Sequence, residues 1–201
     1  MVRPDALSFV LLAGAAVLTA PAAAQDYADT AQRTLPVIGS APQVCVIDQA
    51  RVQTGELNNF IGLDGDTLRI DELTDKQTLA ARPASATLSF PAVCNFPHRV
   101  RIESESNGLW PTDGRMYSEA SGFAYALPYT AVVRWGPATA RFDADAKIRR
   151  LAQSSVNIDE PTAGNLEMRI EIEPGASNVR WNAPVLAGAY GDTLRIFLEP
   201  R

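Results

Sequence analysis

Few side chains of this sequence are of the types that catalyse reactions. The single histidine, His98, follows Pro97 at the start of a predicted strand, where we expect a structural or surface role. Serine is plentiful, but the chain contains no G-x-S-x-G nucleophile elbow, and no second histidine is present to complete a triad. The sequence therefore predicts neither an enzyme nor a cofactor.

A cluster of acidic residues surrounds an Asp-Gly-Asp turn. Asp64, Asp66, Asp71 and Glu72 could surround a calcium ion if this turn folded back on itself, but their spacing does not match the EF-hand loop. The pattern is more typical of a plain hairpin turn, so we expect no metal.

Two tryptophans are candidate ligand-binding aromatics. Trp135 fits the core face of a predicted strand, whereas Trp110 and Trp181 lie beside loop signals and could stack on a sugar.

The chain has only two cysteines, Cys45 and Cys94. In an oxidising compartment such a pair predicts a disulfide, and two buried free thiols are the alternative. A loop of about 50 residues closed in this way would stabilise the fold by about 4 kcal/mol. Zinc is not expected, because His98 cannot complete a ligand set with two thiols.

Residues 1–24 have the layout of a secretory signal peptide. Arg3 precedes an apolar run from Phe9 to Val17, and three alanines end at Ala24. We therefore expect a mature chain beginning at Gln25 and located in the periplasm, at the cell surface or outside the cell. No later apolar run is long enough to span a bilayer, so a membrane-spanning protein is not predicted.

The charge balance argues against a nucleic-acid partner. Eighteen Lys and Arg face 23 Asp and Glu, a net charge of −5. Nothing in this balance would attract a phosphate backbone, and the scattered acidic residues indicate a solvated surface.

Residues 43–201 are dominated by apolar residues at a period of two, the pattern of half-buried strands. About seven short strands separated by turn signals predict an all-β protein, an immunoglobulin-like antiparallel β-sandwich. A helix is an alternative to a loop over Ala144–Gln153. The strand predictions are Val44–Val52, Thr67–Asp71, Ala86–Val93, His98–Ser104, Phe123–Trp135, Leu166–Glu173 and Thr193–Leu198.

The final strand is the most informative. Leu194, Ile196 and Leu198 alternate with Thr193, Arg195 and Phe197, and the given sequence ends shortly afterwards. We expect these three apolar residues to form an acceptor edge, because an unpaired strand edge must be blunted or filled from outside.

Residues 25–42, which lie between the predicted signal peptide and the strand-rich region, differ in composition from that region and are interrupted by Pro36 and Pro42. It is either a disordered terminus or an N-terminal extension able to donate a strand, with Tyr27, Leu35 and Val37 as its candidate donor residues.

Four pieces of the chain together resemble the spore coat protein U domain family, which includes the subunits of archaic chaperone/usher pili. They run in the family's order over most of Cys45–Leu198: the early Cys45, AVCNFPHRVRI, GRMYSEASGFAYALPYTAVVRWG and LAGAYGDTLRIFL.

This resemblance implies an incomplete sandwich that lacks its last strand. It also implies a periplasmic chaperone, an usher and like subunits as partners, with completion of the fold by a neighbour's N-terminal extension. The resulting hypothesis is an exported, non-catalytic structural subunit of a surface fibre or coat, with a part in cell adhesion. The alternative is a stand-alone secreted β-sandwich that binds a glycan or a protein.

Overall fold

The computed structural model describes residues 32–114 and 122–201. The predicted signal peptide and Tyr27 lie outside the described residues. The chain divides into two units, residues 1–40 and 41–201. Of the first unit, residues 32–40 are described, and they contain no helix or strand.

The second unit is built from strands. Among its described residues there is no helix and there are thirteen strands, so the predicted all-β class is confirmed. The strands are β1 (Cys45–Ile47), β2 (Arg51–Asn58), β3 (Phe60–Asp64), β4 (Thr67–Ile70), β5 (Ala84–Cys94), β6 (His98–Ser104), β7 (Trp110–Pro111), β8 (Tyr129–Trp135), β9 (Ala138–Ala144), β10 (Ala152–Ile158), β11 (Thr162–Ile172), β12 (Tyr190–Gly191) and β13 (Leu194–Pro200).

Two antiparallel sheets form the sandwich. In the described residues the larger sheet runs β1-β5-β11-β8-β9, with β2 also paired to β5, and the smaller runs β10-β6-β13. Two separate ladders, β3-β4 and β7-β12, lie outside both sheets.

Alternation along the central strands explains why these sheets stack. In β11, Leu166, Met168 and Ile172 are buried while Glu171 is exposed, as a strand with one face in the core requires. Ile170, on the same apolar face, is only half-buried. This face of β11 packs into a core built mainly from β5, β6, β8 and β9.

Two strand predictions were too long. Phe123–Trp135 becomes regular only from Tyr129, and before it Ala124 makes an isolated bridge with Val185. Val44–Val52 is divided into β1 and β2, which pair with β5 separately.

The segment Ala144–Gln153 is not helical. Ala144 ends β9, Ala152 begins β10, and the loop between them is held by hydrogen bonds. Asp145 accepts hydrogen bonds from the Lys147 N–H and from Asn107 Nδ2. The side-chain amide of a distant residue therefore decides this conformation, against a weak local helix signal.

The predicted disulfide between Cys45 and Cys94 is present. These two cysteines are direct cross-strand partners in the β1-β5 ladder, 49 residues apart in sequence. The bond ties the short β1 to the strand that enters the core.

Candidate functional site

An apolar groove of about 1240 Å³ opens beside β13. Its lining comes from both sheets and from the β3–β4 hairpin, and we call it the β13 groove. Its apolar lining residues include Leu88 and Phe90 of β5, Met168 and Ile170 of β11, Leu63, Leu68 and Ile70 of the hairpin, and Leu194 and Ile196 of β13.

One edge of β13 borders this groove without a strand partner. β13 pairs with β6 in register from Leu194↔Ser104 to Pro200↔His98. Among the described residues, no strand pairs with its other edge. Backbone N–H and C=O groups along that edge are therefore available to a further strand.

The two faces of β13 have different environments. Leu194, Ile196 and Leu198 are half-buried and pack against the core. Leu194 and Ile196 also line the groove. Arg195 is exposed on the opposite face, where its guanidinium lies 3.0 Å from Glu105 Oε2.

Ion pairs and a cation–π contact hold the side chains of Phe197 and Glu199 against β6. The Arg101 guanidinium lies 3.9 Å from the centroid of the Phe197 ring and donates hydrogen bonds to Glu199 and to Glu103, each at 2.5 Å. The hydrogen bond from Arg101 and its positive charge lower the pKa of the Glu199 carboxyl, and the bond to Glu199 raises the pKa of Arg101. This cluster ties β13 to β6 through the side chains of Phe197 and Glu199.

Asp192 anchors the entry to β13. Its Oδ2 accepts hydrogen bonds from Ser104 Oγ at 2.6 Å and from Tyr129 Oη at 2.7 Å. Its Oδ1 accepts from the Ser106 N–H at 2.9 Å and the Thr193 N–H at 2.8 Å. One carboxylate therefore links both sheets at the point where β13 begins.

The phenol of Tyr129 is suited to this role. Burial raises its pKa strongly, and the negative charge of Asp192 adds to the effect although a hydrogen bond with Ser104 opposes it. The phenol therefore stays protonated and donates at physiological pH. Sequence reasoning missed Asp192, for which the only local signal was the Tyr-Gly-Asp turn.

His98, for which a structural or surface role was expected, lies inside the core. It is 0% exposed, its Nδ1 lies 2.8 Å from the Phe96 carbonyl oxygen, and its ring packs against Trp135 in a tilted arrangement with the ring centroids 4.7 Å apart. These contacts agree with a structural histidine.

The acidic cluster forms the hairpin turn that was expected. Asp64 ends β3, Thr67 begins β4, and Gly65 supplies the positive φ of 58° at the tip. Among the described residues no cluster of three or more metal-ligating side chains is present.

The structure does not build a shared aromatic site from the two candidate tryptophans. Trp110 is half-buried, packs 6.0 Å from Tyr125, and has a buried indole nitrogen without a partner in the described residues. Trp181 is 60% exposed.

The described donor candidates are exposed. Leu35 and Val37 are 81% and 89% exposed, and the adjacent Ile38 is 93% exposed. Pro36 lies between the first two and has no backbone N–H.

No protein-family model, curated protein or solved structure matches this chain. Among the described residues, no helix is long and apolar enough to cross a membrane.

Proposed function

We propose that this protein is an exported, non-catalytic structural subunit of a surface fibre or coat, and that its β13 groove is filled by a strand from another polypeptide. The observation that supports this proposal best is the coincidence of an unpaired strand edge with an apolar groove. A strand that lies along β13 satisfies both, since its backbone pairs with the edge and its alternate side chains enter the groove.

The dimensions of the site define the occupant. β13 has seven residues, and at about 3.3 Å per residue a fully paired partner extends over about 23 Å. Every second side chain of that partner faces Leu88, Met168 and Ile196, so these inward positions must be apolar. The occupant is therefore an extended segment with apolar residues at alternate positions.

The neighbouring subunit offers such a segment in its N-terminal extension. Leu35 and Val37 are two positions apart, as alternate inward residues must be, and both are exposed in the described structure. Pro36 can be accommodated if its nitrogen points away from β13. Before assembly, a strand from a periplasmic chaperone fills the same groove, and an usher exchanges the two.

The proposal is tested by thermal unfolding of the protein from Gln25 onward with a lysine-flanked peptide of alternating valine and threonine. A ligand that binds only the folded state at about 100 times its Kd stabilises it by about 2.7 kcal/mol, which raises the midpoint by about 5 to 10 °C for a domain of this size. A peptide of the same composition with its valines in one block is the matched control and should leave the midpoint unchanged.

Backbone pairing is tested separately with two N-methylated peptides. One carries methyl groups on the valine nitrogens and the other on the threonine nitrogens. Because alternate N–H groups of a strand point to opposite sides, only one of the two peptides should lose its effect. Equal shifts from all four peptides, or no shift from any, would overturn the proposed function.

A further inference from the structure

The β3–β4 hairpin, Phe60–Ile70, is attached to the sandwich in an unusual way. In the described residues its two strands pair only with each other. Leu63 lies opposite Leu68 and Phe60 opposite Ile70, so these four apolar side chains share one face. An isolated hairpin is marginally stable in water, so this one depends on what its apolar face contacts.

That face looks onto the β13 groove. Leu63, Leu68 and Ile70 line the groove together with Leu194 and Ile196. All three hairpin side chains are only half-buried, whereas Phe60 at the base is 9% exposed. At the base Phe60 is therefore packed, whereas its partner Ile70, like Leu63 and Leu68 nearer the tip, is incompletely covered.

The base is also fixed by hydrogen bonds. Asn59, at a positive φ of 57°, donates from Nδ2 to the carbonyls of Glu72 and Pro83 and accepts at Oδ1 from the Glu72 N–H. Arg82 forms an ion pair with Glu72 beside it. At the tip, the Arg69–Asp64 ion pair is exposed and 3.5 Å long, a kind of contact that contributes little.

We propose that the β3–β4 hairpin is a clamp that closes over a strand bound in the β13 groove. This inference rests on the proposed function and adds a second contact surface to it. An occupant strand covers the half-buried side chains of Leu63, Leu68 and Ile70 with further apolar surface. Because the base of the hairpin is fixed and its tip is weakly held, the tip can move to pack against the occupant strand. The occupant then dissociates slowly, because the hairpin must open first.

Amide hydrogen exchange of the wild-type protein, with and without the lysine-flanked valine–threonine peptide, tests the clamp. We expect the amides of Asp64 and Thr67, which are hydrogen-bonded to each other's strands across the hairpin, to exchange at least about tenfold more slowly in the complex, together with the amides of β13. Protection of β13 with unchanged exchange in the hairpin would overturn the clamp and leave the proposed function standing. Absence of protection in both would overturn both proposals.

A pair of substitutions in the hairpin tests the same point kinetically. Leu68→Ala removes half-buried apolar surface from the groove face. Asp64→Ala is the matched control, because Asp64 is an exposed residue of the same hairpin that does not line the groove. We expect the peptide to dissociate about fivefold faster from the Leu68→Ala protein and at the wild-type rate from the Asp64→Ala protein. Equal dissociation rates from all three proteins would contradict a clamp.

Discussion

Replacement of Asp192 by alanine should destabilise the whole sandwich, although Asp192 lies in a turn and is itself half-buried. Its carboxylate accepts hydrogen bonds from Ser104 Oγ, Tyr129 Oη and the backbone N–H groups of Ser106 and Thr193. Ser104 is 0% exposed and Tyr129 is 5% exposed, so two buried hydroxyl donors lose their acceptor in the Asp192→Ala protein.

The magnitude follows from these contacts. A hydrogen bond to a charged group contributes about 1.5 to 3 kcal/mol, and a buried donor left without a partner costs about 1 to 3 kcal/mol. Two buried hydroxyl donors therefore give about 4 kcal/mol for Asp192→Ala, since Ser104 and Tyr129 share one oxygen and their contributions do not simply add. Asp192→Asn keeps the oxygen that faces Ser106 and should cost about half as much.

Urea denaturation of the protein from Gln25 onward measures these changes as a lower midpoint with an unchanged slope. Asp159→Ala is the control, because Asp159 is an exposed carboxylate that pairs only with Arg201 among the described residues, and its loss should change stability by less than about 1 kcal/mol. An Asp192→Ala protein within 1 kcal/mol of wild type would refute this account of the anchor.

Three further outcomes are expected. Cys94→Ser, which removes the disulfide, should lower the free energy of unfolding by about 4 kcal/mol in urea denaturation, and wild-type protein with two free thiols by mass spectrometry would contradict the bond. Leu166→Asp should abolish folded protein because it buries an unpaired charge, whereas Glu171→Gln on the exposed face of the same strand should be nearly silent in solubility and circular dichroism. The pKa of the Glu199 carboxyl, measured by NMR titration, should lie below its ordinary value of 4.5, because Arg101 stabilises the charged form. The contribution of Glu199 to stability is then complete above the unfolded-state pKa and is lost as the pH falls through the folded-state pKa. A titration midpoint at or above 4.5 would contradict the pairing.

Sequence patterning located the strands whose two faces differ most. His98–Ser104 was predicted at its observed bounds, and Leu166–Glu173 lies within β11 apart from its last residue. In both, apolar side chains alternate with polar ones, so the sequence of the strand alone indicates which face is buried. β9 and β10 also alternate, but they were missed because small residues occupy many of their inward positions, which gives a weak hydrophobic signal: Ala138, Ala140 and Ala144 in β9, and Ala152 and Ser154 in β10.

The β13 groove could be predicted only in part. The alternation along the final strand identified Leu194 and Ile196 of one wall, whereas Leu198, also expected there, packs against the core and does not line the groove. The hairpin face and the Asp192 anchor depend on contacts across the fold, and Ser104 lies 88 residues before Asp192. Hydrophobic periodicity within a segment cannot indicate a contact between residues so far apart in sequence, so the hydrogen bonds of Asp192 could be identified only from the structure.

The central claim is that a strand from another polypeptide pairs with the open edge of β13. NMR scalar couplings across hydrogen bonds between ¹⁵N-labelled protein and a valine–threonine peptide labelled with ¹³C at its carbonyls measure this pairing directly. We expect couplings from alternate amides of Leu194–Pro200 to peptide carbonyls. A bound peptide without such couplings, or an edge of β13 already hydrogen-bonded to another segment of its own chain, would contradict the claim.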